Sequence, residues 1–125
     1  MIGIIGAMEE EVAALKSEMA DAKVTEFASM TFYKGTLCGK DVVVVRSGIG
    51  KVNAAICAQI LVDKFGVDTL INTGIAGSLD ARIDIGDMVI STDAVHHDMD
   101  ATIFGDAIGQ VQEWIRVHSR QISAW

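Results

Sequence analysis

The apolar positions fall into two rhythms. Met1–Gly6 is a continuous apolar run with two glycines, the pattern of a strand covered on both faces. From Glu9 to about Met19 the period changes. Val12, Leu15 and Met19 recur at helical spacing, with Ala13 and Ala14 as strong helix formers. Glu9, Glu10 and Glu11 then fill the first turn, where the helix dipole favours anions. Val24–Ala28 and Met30–Leu37 read as strands, and Asp41–Arg46 ("DVVVVR") is the strongest strand signal in the chain. After the turn "SGIGK", Val52–Phe65 reads as a second helix, with Val52, Ile56 and Ile60 four apart and Gly66 as its C-cap. Thr69–Thr73 and, beyond the turn "DIGD", Asp87–Thr92 read as further strands. "AVHHDMDATIFG" continues the last strand or leaves it as a loop. Strands alternating with helices give an α/β class, a central mixed twisted sheet flanked by helices.

The segment Gln112–Trp125 departs from this design. It follows a glycine-rich region, contains no glycine, and carries both tryptophans. Trp114, Ile115 and His118 would share one side of a short amphipathic helix.

Composition narrows the class. The chain has 125 residues, the size of one ordinary domain. Ten basic against 17 acidic residues give a formal net charge of -7, with no Lys/Arg run, which argues against a nucleic-acid partner. The first apolar stretch is too short for a signal peptide or a membrane span, so a cytoplasmic protein without membrane association is expected. Cys38 and Cys57 match no zinc spacing and are expected to be small buried hydrophobes. No proline is present, so turns must use glycine and Asp/Asn.

Three glycine turns end strands: "GIIGAM", "SGIGK" and "NTGIAGS". In α/β sheets ligands bind beyond the carboxyl ends of strands, and glycine there lets backbone N–H groups approach a ligand. None of the three is a full dinucleotide or nucleotide-phosphate loop. Their joint placement allows one pocket, to which a glutamate at the first helix start can bring a carboxylate that acts on water. The competing reading makes all three glutamates solvated charges at a helix start. In "HHDMD", strand alternation would put His96, Asp98 and Asp100 on one face and His97 on the other. That is not a helical metal motif, and a polar loop or interface is the preferred reading.

The ordered motifs "IGIIGAMEEEV", "SGIGKVNAA", "NTGIAGSL", "IGDMVIS" and "HHDMDATIFG" resemble the 5′-methylthioadenosine/S-adenosylhomocysteine nucleosidases of the nucleoside phosphorylase fold, from Met1 to about Val111. The resemblance implies hydrolysis of the N-glycosidic bond of a small nucleoside substrate with release of adenine. It implies no cofactor and no metal, and a homodimer. It makes Glu11 the catalytic residue that activates water. Met8 becomes a ribose-side contact, Ile49 a wall near the 5′-thio group, and Ala76 and Gly77 the purine side. Ile75 stands where the family often has serine, so a side-chain contact there would be lost. Ala101 and Phe104 become residues lent across the dimer to the partner's alkylthio pocket.

The family chain is about twice as long, and its second half supplies the acid for the leaving base, a ribose-gripping glutamate and an aromatic that stacks on adenine. The expectation is therefore an N-terminal half, residues 1–111, followed by an atypical tail, 112–125. With suitable synonymous codons the tail reads, one base out of register, as a continuation of the family sequence, so it is expected to be out of frame. The alternative function is an inactive truncated fragment that binds purine nucleosides weakly or self-associates. A phosphorolytic relative ranks last, because Arg46 is the only arginine near the glycine turns.

Overall fold

The computed structural model describes residues 1–92 and 94–110. The tail, with its expected helix, lies outside them. The chain divides into two compact units, Met1–Gly77 and Ser78–Trp125.

The first unit is a five-stranded sheet in the order β2-β3-β4-β1-β5. Its elements are β1 (Ile2–Gly6), α1 (Glu9–Glu18), β2 (Ala20–Phe27), β3 (Met30–Leu37), β4 (Lys40–Arg46), α2 (Lys51–Phe65) and β5 (Thr69–Asn72). β1 pairs in parallel with β4, with Ile2 opposite Val42, and with β5, with Ile2 opposite Thr69. β2, β3 and β4 form an antiparallel meander.

The unbroken valine run of β4 has a direct cause. Val42 and Val44 pack with Ile4 and Val12 in one cluster. Val43 and Val45 pack with Ile5, Phe32, Cys57 and Leu61 in another. The two residue sets alternate along the strand, so α1 covers one face of the sheet and α2 the other. Phe27, Phe32 and Phe65 add edge-on and stacked ring contacts at centroid distances of 5.1–6.1 Å.

Several expectations need correction. The four-apart set of α2 is split: Ile60 packs against the core, whereas Val52 and Ile56 are exposed. The buried face of α2 carries Cys57 and Leu61, and Val52 is 73% exposed. Spacing by four marks helical period but not which stripe is covered. Cys38 is exposed and stands at φ +49° beside Gly39 in the two-residue β3–β4 turn, because a hairpin tip has no core to enter. Cys57 is the buried one, and burial pushes its thiol up to about 11. The β2–β3 turn uses Ala28 and Ser29, both at positive φ, so this hairpin turns without glycine. β2 begins at Ala20, earlier than its apolar residues suggest, with a register irregularity between Ala20 and Lys23.

The second unit has little regular structure among its described residues: short turns and one 3-10 turn, Thr102–Phe104. Asp87–Thr92 is not a strand. A strand exists by its ladder, and among the described residues none pairs with this segment. The histidine segment is likewise non-strand. His96 and His97 each place Nδ1 3.9 Å from Asp98 at exposed positions. Among the described residues no group of three or more His, Cys, Asp or Glu gathers as a metal site would require.

Candidate active site

β1, β4 and β5 run in parallel, so their carboxyl ends share one edge of the sheet. Backbone bonds tie the segments leaving that edge to β1. The Ser47 N–H donates to the Gly6 carbonyl at 2.9 Å, and the Thr73 N–H donates to the Ile5 carbonyl at 2.9 Å. Ser47 is buried, and its hydroxyl donates to the Gly48 carbonyl at 2.9 Å. The three glycine turns thus leave neighbouring strand ends, as the sequence suggested.

Glu11 joins the first turn to the third. Its Oε2 accepts the N–H groups of Ala7 at 2.7 Å and Met8 at 2.9 Å. Its Oε1 accepts the Ile75 N–H at 3.2 Å, across 64 positions of chain. Met8 is the N-cap of α1 and Glu11 its third helical residue. The Met8 contact is therefore half of a capping box, and methionine lacks the side-chain oxygen for the other half. The Met8 N–H is the largest cause holding the Glu11 carboxyl below the usual glutamate range. The Ile75 and Ala7 donors act in the same sense, and partial burial opposes them.

The remaining acidic residues of the first turn behave differently. Glu9 is exposed and pairs with Lys16 Nζ at 2.8 Å, which lowers its carboxyl. Its Oε2 also lies 3.9 Å from Arg46 Nε. Glu10 is exposed. Of the three glutamates, Glu11 is the one aimed at the strand ends. An ionised carboxylate offers about four acceptor positions. Three N–H groups occupy Glu11, two of them on Oε2, so Oε1 keeps capacity for one further donor such as a water.

The other expected site residues are placed unequally. Met8 and Ile75 meet Glu11 through their backbones. The contact at residue 75 is therefore indifferent to whether serine or isoleucine stands there, and the Ile75 side chain is 83% exposed. Ala76 and Gly77 follow it on the exposed continuation of the same turn. Ile49 is 75% exposed in the turn before α2, where its carbonyl accepts from Asn53 Nδ2 at 2.8 Å. Ala101 and Phe104 belong to the second unit. Ala101 is buried there at the N-cap of the 3-10 turn, and Phe104 is 76% exposed at its end. Sequence reasoning missed the Ala7 donor and the Ser47 tie. The three-residue step from Met8 to Glu11 was a usable signal for the capping contact.

The family model of the phosphorylase superfamily matches residues 1–123. The chain belongs to this superfamily. Within it, a protein named 5′-methylthioadenosine/S-adenosylhomocysteine nucleosidase from Staphylococcus haemolyticus is 53% identical over 113 residues, which are 90% of this chain and 50% of that protein. The crystal structure of the nucleosidase of that name from Colwellia psychrerythraea, in complex with adenine, superimposes with a TM-score of 0.87. It is 55% identical and covers 89% of this chain and 46% of that one. The Neisseria meningitidis nucleosidase in complex with methylthio-immucillin-A gives a TM-score of 0.88 at 43% identity, over 92% of this chain and 50% of that one. The chain spans about half the length of the curated relatives it matches. The superfamily membership and these superpositions agree with the mixed sheet and its two flanking helices.

Proposed function

We propose that this chain carries the water-activating part of a hydrolase that cleaves the N-glycosidic bond of 5′-methylthioadenosine and S-adenosylhomocysteine, releasing adenine. The observation that carries the reading is Glu11. It is a carboxylate held ionised by three backbone donors at the carboxyl edge of a parallel β1–β4–β5 array. The names of the relatives and the adenine and methylthio-immucillin-A in two of their structures support the substrate class.

In this reading Oε1 of Glu11 accepts a hydrogen bond from the attacking water and orients it toward the anomeric carbon. The negative charge also favours the oxocarbenium character that develops as the base departs. A carboxylate with a lowered pKa is a weak base. Its contribution is greatest as a fixed anion that aligns water before the bond breaks. Met8 lies on the ribose side, Ile49 beside the 5′-thio group, and Ile75, Ala76 and Gly77 along the purine. Ala101 and Phe104 complete a partner's alkylthio pocket in a homodimer. The setting is cytoplasmic methionine salvage, and residues 1–111 form the nucleosidase part ahead of an out-of-frame tail. Sequencing the gene around codon 111 tests that last point: a DNA sequence unable to encode the shifted peptide rejects it.

The deciding experiment is adenine release from 5′-methylthioadenosine by the purified chain beside Glu11→Gln. Release that falls roughly 10²–10⁴-fold in the variant supports the reading. No release by either form rejects it for this chain acting alone and leaves an inactive fragment. Binding of 5′-methylthioadenosine and the oligomeric state, measured on the same sample, then show whether that fragment retains nucleoside affinity or self-associates.

A further inference from the structure

Gly74 does not have a left-handed backbone, unlike the glycines of most other turns in this chain. Its lack of a side chain is therefore not required by its own conformation. The reason lies in what stands next to it. A methyl group at residue 74 would come within 2.7 Å of Glu11 Oε1 and 3.1 Å of Glu11 Cδ. Ordinary contacts between such atoms are several tenths of an ångström longer. From β1, a methyl group on Gly6 would meet Glu11 Cβ at 3.1 Å and Val12 Cγ1 at 2.6 Å. Two of the glycine turns thus leave room for one glutamate side chain, and Gly74 leaves it at the carboxylate itself.

We propose that Gly74 is a positioning residue for Glu11: its missing side chain lets the carboxylate reach the Ile75 N–H and fixes where Oε1 points. The proposal rests on the reading of Glu11 as the working carboxylate. Adding one methyl group pushes Oε1 off the Ile75 donor, while Oε2 keeps its bonds to Ala7 and Met8. The water-aligning oxygen is then misplaced although the residue that carries it is unchanged. Helix α1 also carries the charged residues Glu9, Glu10, Lys16 and Glu18, and Arg46 ends β4 opposite Gly6. Lys16 and Arg46 are both directed at Glu9. The state of Glu11 therefore reports chiefly on its backbone donors.

The test is a carboxyl-carbon NMR titration of Glu11 in the full chain and in Gly74→Ala, with adenine release measured on the same samples. The expected result is a Glu11 midpoint that rises toward the usual glutamate range in Gly74→Ala, with kcat lowered about 10²-fold and KM little changed. An unmoved midpoint overturns the proposal. If the unaltered chain releases no adenine, the functional reading fails, yet the titration still decides whether Gly74 positions the carboxylate. If Gly74→Ala folds poorly, the melting temperatures of Glu11→Ala and Glu11→Ala/Gly74→Ala decide. Equal values assign the clash to the carboxylate and support the proposal. A further loss in the double variant shows that residue 74 serves packing alone and overturns it.

Discussion

Residues 1–77 and the described part of 78–110 are both rich in Val, Ile, Leu and Met, yet only the first gathers a large share of them into a core. In the first unit Ile4, Ile5, Val12, Phe32, Val42–Val45 and Leu61 are buried. In the second, Leu79, Ile85, Met88, Val89, Ile90, Val95, Ile103, Phe104 and Ile108 are exposed. Hydrophobicity alone does not make an element. A strand needs a neighbour that completes its ladder, and its side chains are buried only where a layer covers its face. β4 has β1 and β3 beside it and a helix over each face. The equally apolar segment Asp87–Thr92 has no such neighbour among the described residues.

Four perturbations test this contrast, the largest first. Phe32→Ala removes a fully buried ring from the three-phenylalanine cluster and is expected to cost about 3–5 kcal/mol in chemical denaturation. A loss below about 1 kcal/mol would mean that the first unit is much less tightly packed than described. Gly66→Ala places a side chain at φ +65° in the cap of α2. It should lower stability by roughly 1 kcal/mol in the same assay, and an unchanged midpoint would refute the need for a left-handed cap.

The third perturbation is pH. Glu11 is lowered by its backbone donors, and Asp68 by the N-terminal ammonium of Met1 at 2.9 Å and then by the Thr69 hydroxyl. Both folded pKa values lie below their unfolded ones. Their contribution is therefore complete above the unfolded carboxyl range and disappears as pH falls through the folded values. Stability should decline on acidification through and below that range, and Glu11→Gln should flatten part of the slope. Parallel curves for the two proteins would count against the Glu11 contacts. The smallest effect belongs to the second unit. Ile90 is 60% exposed, and Ile90→Ser should change stability by no more than about 0.5 kcal/mol. A larger loss would show that this segment is covered in solution.

The sequence carries most of the first unit because its signals are local. The period change at Glu9, the valine run and Gly66 each lie within a few residues of what they specify. The limits of α1, β3, β4 and α2 agree with the sequence reading to within one residue. β2 was less legible because Ala20–Lys23 are exposed and polar or small, leaving no apolar alternation to read. The candidate site divides along the same line. The glutamate triplet was visible, and the family resemblance singled out Glu11. The Ile75 donor and the space beside Gly74 were not visible, since both depend on residues 60 or more positions away coming within contact distance.

The strand order also governs how the first unit assembles. β2, β3 and β4 can zip together through two-residue turns, each step closing only a short loop. β1 sits between β4 and β5 and must wait for both, since Ile2 is matched to Val42 and to Thr69. Such distant pairing slows folding. The meander should therefore form early, with docking of β1 as the late step. Because Glu11 draws its donors from the turn after β1 and the turn after β5, the carboxylate cage is among the last features to take shape. A kinetic intermediate of this protein would have a sheet before it had a site.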